Sequence, residues 1–243
     1  MTRIMIEATD IVKVLGEGAG RVDALKGINL SLVGGELTLL MGPSGSGKTT
    51  LLSVLGCMLS PTSGTVRIRE RSTTGLSPEE LAKLRRENVG FVFQSYHLFP
   101  TLTAAENVRL TLDVRGERAP LARDKAAKAL ATVGLSHKAN AFPRELSGGE
   151  QQRVAVARAI VGDASVVLAD EPTAALDSEN GHAVMTMLAE IAKDPARALF
   201  IVTHDPRIMP FADRILRIED GRIVDDQRRD EHAGTVHALK QAS

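Results

Sequence analysis

The sequence predicts an α/β fold: a mostly parallel sheet built around a glycine loop, a small antiparallel β region, and an inserted α-helical subdomain. Three observations predict it. Short apolar runs alternate with helical patterns in both the first and the last third of the chain. Gly42, Gln94, Asp170, Glu171 and His204 each stand at or just past the end of such a run, where a parallel sheet delivers its ligand-facing residues. Between residues 102 and 161 no strand pattern interrupts the helical ones.

In chain order, Ile4–Ile6, Ile28–Leu32 and Glu36–Leu40 read as short strands separated by turn residues, and 15–20 as a flexible glycine loop. Gly42, Pro43, Ser44, Gly45, Ser46, Gly47, Lys48 and Thr49 follow the third strand, and a helix opens at Thr50. Thr65–Arg69 alternates like a half-buried strand. Ser77, Pro78, Glu79 and Glu80 supply an N-cap, a first-turn proline and acidic residues for a helix to about Arg86. Asn88–Phe93 is a buried strand, with Phe91 and Phe93 as core residues. Helices follow over Ala104–Val114, Leu121–Val133 and from Gly148 through Ile160. Ala164–Ala169 and Ala198–Val202 are apolar strands flanking a helix over Ser178–Lys193. Arg214–Ile218 and Arg222–Val224 form a hairpin across Asp220 and Gly221. The whole of 1–243 reads as one domain. Residues 1–93 and 163–225 form the α/β core, 94–162 the helical subdomain, and 226–243 a polar tail with room for a short helix.

Composition narrows the function. Thirty basic and thirty acidic residues give no net charge, which argues against a dedicated nucleic-acid binder. The one cysteine, Cys57, cannot form an internal disulfide, so a reducing compartment and a buried packing role are expected. The N-terminus has no signal-peptide pattern and no run reaches the roughly 18 apolar residues of a membrane span. A cytoplasmic protein is expected, meeting a membrane only through a partner.

The glycine loop fits G-x-x-x-x-G-K-[ST] at every fixed position, between a strand and a helix. Its glycines let backbone N–H groups converge on an anion, and the helix N-terminus adds its dipole. Lys48 is placed to reach the β- and γ-phosphates of a nucleotide, and Thr49 to ligate Mg²⁺, with Thr50 beside it. Asp170 is a candidate Mg²⁺ ligand, directly or through water, and Glu171 a candidate base for the attacking water. His204 is placed to bond a γ-phosphate oxygen or orient that water. Leu146, Ser147, Gly148, Gly149 and Glu150 open a second helix suited to an anion, with Ser147 as N-cap and two glycines for close approach. One nucleotide loop with two phosphate-seeking helix ends suggests a two-fold dimer, each second helix capping its partner's nucleotide.

These motifs, in this order, resemble those of ABC-transporter nucleotide-binding subunits over about residues 4–225. The loop is similar to the family's Walker A motif, 166–171 to Walker B, and 146–150 to the signature. Gln94 is similar to the Q-loop glutamine, Ala175–Asp177 to the D-loop, and His204 to the switch histidine. The resemblance implies a P-loop NTPase core and ATP hydrolysis with ATP and Mg²⁺ in a head-to-tail dimer of two copies. It implies that Gln94 senses Mg²⁺ and water, that Lys48, Glu171 and His204 are catalytic, and that Asp177 lies at the dimer interface. It further implies integral-membrane permease subunits on the inner face of the cell membrane, docked by the segment after Gln94. Tyr96, Leu98 and Phe99 are the expected anchors. Residues 84–94 and 101–108 are similar to the lipoprotein-releasing and macrolide-exporter group, with its DevA-type and FtsE-like members. One departure stands out: family members usually stack an aromatic residue on adenine, and Leu15 falls near that position with no aromatic residue before Phe91.

Two other functions compete. A soluble ABC ATPase of DNA repair or translation usually carries coiled coils, zinc sites or a second cassette, and none is visible. A low-turnover nucleotide-gated scaffold fits poorly with complete Walker B and switch residues.

Overall fold

The computed structural model describes residues 3–229. Two long strands open the chain, β1 (Ile4–Leu15) and β2 (Val22–Val33), then β3 (Leu37–Met41) leads into the glycine loop and α1 (Lys48–Leu55). The short strands β4 (Ser63–Ile68) and β5 (Arg71–Ser72) precede α2 (Pro78–Asn88) and β6 (Val89–Val92). Three helices follow: α3 (Ala104–Val114), α4 (Ala119–Thr132) and α5 (Gly148–Ile160). The chain then returns to β7 (Val166–Asp170), α6 (Ser178–Ala192), β8 (Ala198–Thr203), β9 (Arg214–Glu219) and β10 (Arg222–Arg228).

A four-stranded sheet has the order β2-β1-β4-β5, and its pairs are antiparallel. A six-stranded sheet has the order β10-β9-β3-β8-β7-β6, parallel except for the β9–β10 hairpin. The parallel strands are apolar on both faces, and alternation sorts their side chains into two cores. Leu37, Leu39, Val167, Ala169, Leu199 and Ile201 pack with α3–α6. Leu40, Val166, Leu168, Phe200 and Val202 pack with α1 and the antiparallel sheet. Cys57 lies in this second core, where burial pushes its thiol up to about 11 against the opposing pull of the Arg85 charge.

Two strand readings need correction. β1 and β2 run far past the short segments expected, because bulges break the alternation that marks a strand in sequence. At one of them Asp10 has φ 49°, and its N–H and carboxylate exchange hydrogen bonds of 3.0 Å with the Asn29 side chain. β10 likewise continues through Asp226–Arg228, which had read as polar tail. Asp226 accepts two bonds from the Arg214 guanidinium, at 2.7 and 2.6 Å, so an edge strand rich in charge is held across its hairpin. The helix considered for the tail lies, from residue 230 on, outside the described residues.

Candidate functional site

The glycine loop joins the carboxyl end of β3 to α1. Gly47 caps the helix at φ +102° with no side-chain cap, and a Cβ there would stand 2.6 Å from the Ala24 carbonyl oxygen. Only glycine takes that conformation freely. The first-turn N–H groups of α1 therefore have no side-chain cap, in a position built for an anion. The Ser46 hydroxyl is buried without a hydrogen-bond partner. The Lys48 ammonium donates to the carbonyls of Gly42 at 2.7 Å and Pro43 at 2.8 Å, arching over the loop. Uncapped amides, an orphaned hydroxyl and a lysine on one loop fit a polyphosphate.

The neighbouring strand ends complete the cleft. Asp170, at the end of β7, is half-buried; burial foremost, then the Glu171 charge, raises its pKa, while a hydrogen bond from the Thr49 hydroxyl and the Lys48 charge oppose. A hydroxyl and a carboxylate in contact beside the phosphate loop fit a phosphate-bound divalent cation. Among the described residues no cluster of three His, Cys, Asp or Glu side chains would hold a metal without the nucleotide's help.

Glu171 takes a left-handed backbone (φ 46°) and turns its carboxylate into a cradle of donors. The Thr203 hydroxyl donates at 2.9 Å, the His204 N–H at 3.1 Å, and His204 Nδ1 lies 2.6 Å away. The His204 ring, expected beside the γ-phosphate or water, thus rests on Glu171 with its side chain 71% exposed.

A cleft of about 730 Å³ gathers these groups. Pro43, Ser44, Gly45, Gly47, Lys48, Thr49 and Thr50 line it with Gln94, Asp170, Glu171 and His204. Gly42 and Ser46 belong to the same loop but do not line the cleft. Leu15 and Val22, 37% and 58% exposed, line it together with Asp23 and Asp220. Leu15 therefore does stand at the nucleotide cleft, as an aliphatic surface.

The second helix end is elsewhere. Ser147, Gly148, Gly149, Glu150 and Asp177 do not line the cleft. The exposed Ser147 caps α5 in a reciprocal box: its hydroxyl accepts from the Glu150 N–H at 3.2 Å, and its N–H donates to the Glu150 carboxylate at 2.8 Å. Those bonds hold the Glu150 carboxyl below its usual range. The two glycines meet neighbours of their own chain. Gly149 is buried against the Asn180 amide, and the Tyr96 hydroxyl would lie 2.9 Å from a Cβ at Gly148. Asn180 in turn bonds both carboxylate oxygens of Asp177, the N-cap of α6, at 2.9 and 2.7 Å.

The expected docking residues divide. Phe99 is 50% exposed, whereas Tyr96 is half-buried and Leu98 packs on the helical core of its own chain. Tyr96 and His97 both have left-handed backbones (φ 60° and 48°), and the Arg158 guanidinium holds their carbonyls at 2.7 and 2.5 Å. Phe91 and Phe93, expected in the core, are half-buried: Phe91 packs on the second core from β6, the edge strand of the sheet, and Phe93 falls one residue past the end of β6 at Val92. They stack at 5.5 Å, His97 lies 4.8 Å from Phe93, and with Phe99 and Arg158 they line a groove of about 290 Å³.

Sequence reasoning missed Thr203, Arg158 and Gln152. Thr203 is a fully buried hydroxyl closing an apolar strand, and that lone polar residue was the available signal. The other two sit in the helix expected from Gly148 through Ile160, where nothing in the sequence marks an inward-pointing polar side chain.

A phosphate loop at the switch from strand to helix, facing a carboxylate pair at the end of β7 in the same sheet, defines a P-loop nucleotide-binding protein. The family model described as ABC transporter matches residues 25–174. The macrolide export ATP-binding/permease protein MacB of Burkholderia thailandensis is 44% identical over 243 residues, covering 100% of this chain and 37% of that protein. MacB of Hyphomonas neptunium is 43% identical over 226 residues, 93% of this chain and 35% of that one. The chain thus spans about a third of the length of these relatives. Among solved structures, the dimeric ATP-binding cassette MJ0796 bound to ADP and Pi superposes with a TM-score of 0.83 at 39% identity, covering 92% of this chain and 98% of that one. CbiO1 of Clostridium perfringens, part of the cbiONQ ABC transporter complex, gives 0.83 at 28% identity, covering 93% and 89%. The chain belongs to the ABC transporter family and is an ATP-binding cassette.

Proposed function

We propose that the chain hydrolyses ATP in a head-to-tail dimer of two copies and transmits closure of that dimer to integral-membrane permease subunits of an export-type transporter. The observation that carries this reading is the Glu171 carboxylate, held by Thr203 and His204 beside the phosphate loop and the Thr49–Asp170 pair. Among the described residues no helix is long and apolar enough to cross a membrane. In this reading the permease is a separate segment or chain, and the cassette lies against the inner face of the cell membrane.

The loop from Gly42 to Gly47 cradles the phosphates, and Lys48 moves from its two loop carbonyls to the β- and γ-phosphate oxygens. Thr49, Gln94 and Asp170, the last directly or through water, would hold Mg²⁺, and the ion would supply neutralisation of the charge on the γ-phosphoryl group. Glu171 takes the proton of the water that attacks in line. His204, free to turn because it is largely exposed, leaves Glu171 for a γ-phosphate oxygen. Ser147, Gly148, Gly149 and Glu150 cap the nucleotide held by the partner copy, with Asp177 at the same interface. Release of phosphate from ATP by the purified chain, dependent on Mg²⁺, tests the reaction; no release above background would reject it.

The base is held by aliphatic surface. A stacked aromatic contributes about 1–3 kcal/mol per base in single-stranded nucleic-acid sites, and Leu15 and Val22 offer no ring. Lys48 and the loop do not read the base, so ATP and GTP bind within roughly tenfold of each other. Leu15→Tyr tightens ATP binding. Titration of the isolated chain with both nucleotides checks this, and a preference for ATP of about a hundredfold or more would contradict it.

Phe99 is the anchor for the permease, on the groove it shares with Phe91, Phe93 and Arg158. Exposed aromatic residues beside a groove are common binding hot spots. Phe99→Ala weakens assembly with the permease about tenfold or more while costing about 0.5 kcal/mol or less of fold stability. Co-purification from membranes alongside a melting curve measures both; intact assembly with a collapsed melting temperature would assign Phe99 to its own core.

A further inference from the structure

Gln152 of α5 reaches the segment that follows Glu171. Its side chain is fully buried, and Nε2 donates to the Pro172 carbonyl at 2.7 Å, directly after Glu171. Its Oε1 is buried with no hydrogen-bond partner. Burying an unpaired amide oxygen costs stability, and a methionine would fill similar space without that cost. The bond to Pro172 is what distinguishes glutamine here from packing alone.

That bond sits at a sensitive point. Glu171 is held in a left-handed conformation, and its N–H donates to the Val202 carbonyl at 2.9 Å. The backbone carrying the carboxylate is therefore pinned between β8 on one side and α5 on the other. α5 grips the following segment a second time, where Gly149 abuts Asn180 and Asn180 bonds Asp177. Gln152 lies five residues after Ser147, about 7.5 Å along the helix axis. The path from the helix N-terminus to the Pro172 carbonyl is about one and a half turns of α5 and one hydrogen bond.

We infer that Gln152 is a positioning residue through which a nucleotide seated on Ser147 from the partner copy acts on this chain's own Glu171. The inference rests on the shared-site dimer proposed above. Each copy would then hydrolyse at full rate only when the other site is filled, because filling sets the Gln152–Pro172 contact behind its base.

A mixed dimer of differently tagged copies tests it. One copy carries Glu171→Gln, so that only the other copy's cleft turns over. Gln152→Met is then placed on either copy in turn. Placed on the active copy, it lowers turnover about tenfold or more, because a displaced base loses its alignment. Placed on the inactive copy, it leaves turnover nearly unchanged, although that copy supplies the Ser147 facing the active nucleotide. Equal loss in both placements, no loss in either, or loss of ATP-driven dimerisation by Gln152→Met would overturn the inference. Ser147→Arg on the inactive copy separates the two claims. It must stop turnover; if it does not, the shared site itself fails, whereas a failure confined to Gln152→Met overturns the relay alone.

Discussion

Glu171→Gln binds ATP and hydrolyses it about 10²–10⁴ times more slowly than the unaltered chain. The amide has nearly the shape of the carboxylate: its oxygen accepts from the His204 N–H, and its NH2, standing where the other carboxylate oxygen accepted from the Thr203 hydroxyl, donates to that hydroxyl instead, so the cleft keeps its form. What it loses is the ability to take a proton from water. Nothing in the phosphate loop changes, so ATP stays bound and the closed dimer no longer has an exit. Light scattering then reports a particle of twice the 26.0 kDa chain mass in ATP, reverting to the single chain when nucleotide is removed. Near-normal phosphate release by the variant would take the base away from Glu171.

Ser147→Arg abolishes hydrolysis while leaving ATP binding to the isolated chain intact. Ser147 is exposed at the N-cap of α5 and does not line its own cleft, so nucleotide affinity has no reason to change. Across a two-fold interface, the arginine occupies the space of the partner's γ-phosphate. Part of the effect is local, since losing the reciprocal bonds with Glu150 removes about 1 kcal/mol of helix capping. Ser147→Ala isolates that part in stability: it loses the cap without adding bulk and melts slightly earlier. Equal loss of ATP binding by the isolated Ser147→Arg chain would place Ser147 in its own cleft.

Those residues were legible before any coordinates because each follows a rule of local sequence. Gly47 and Lys48 sit in a fixed spacing, Asp170 and Glu171 close an apolar run, and Ser147 and Glu150 form a capping box three residues apart. Helix starts were equally readable where a cap announces them, as at Ser77 and Thr103. What escaped depends on contacts distant in sequence. Thr203 matters only because β8 lies beside β7, and Gln152 only because α5 crosses behind Pro172. Periodicity places Phe91 and Phe93 on a strand, and Phe91 does lie there, but the chain leaves the sheet after Val92, so Phe93 enters the turn that Arg158 holds.

The central claim is that each nucleotide is served by the phosphate loop of one copy and the Ser147 helix of the other. Mixing two inactive chains tests it most directly. Lys48→Ala removes the phosphate lysine but keeps Ser147; Ser147→Arg keeps the loop but blocks the helix. Alone, neither chain hydrolyses ATP. In an equal mixture, half the dimers are mixed and each of those holds one complete site, so the account predicts recovered activity with a ceiling of about a quarter of the unaltered rate, lowered further by the relay through Gln152 because the second site of each mixed dimer stays unfilled. A mixture as inactive as its two components would contradict it.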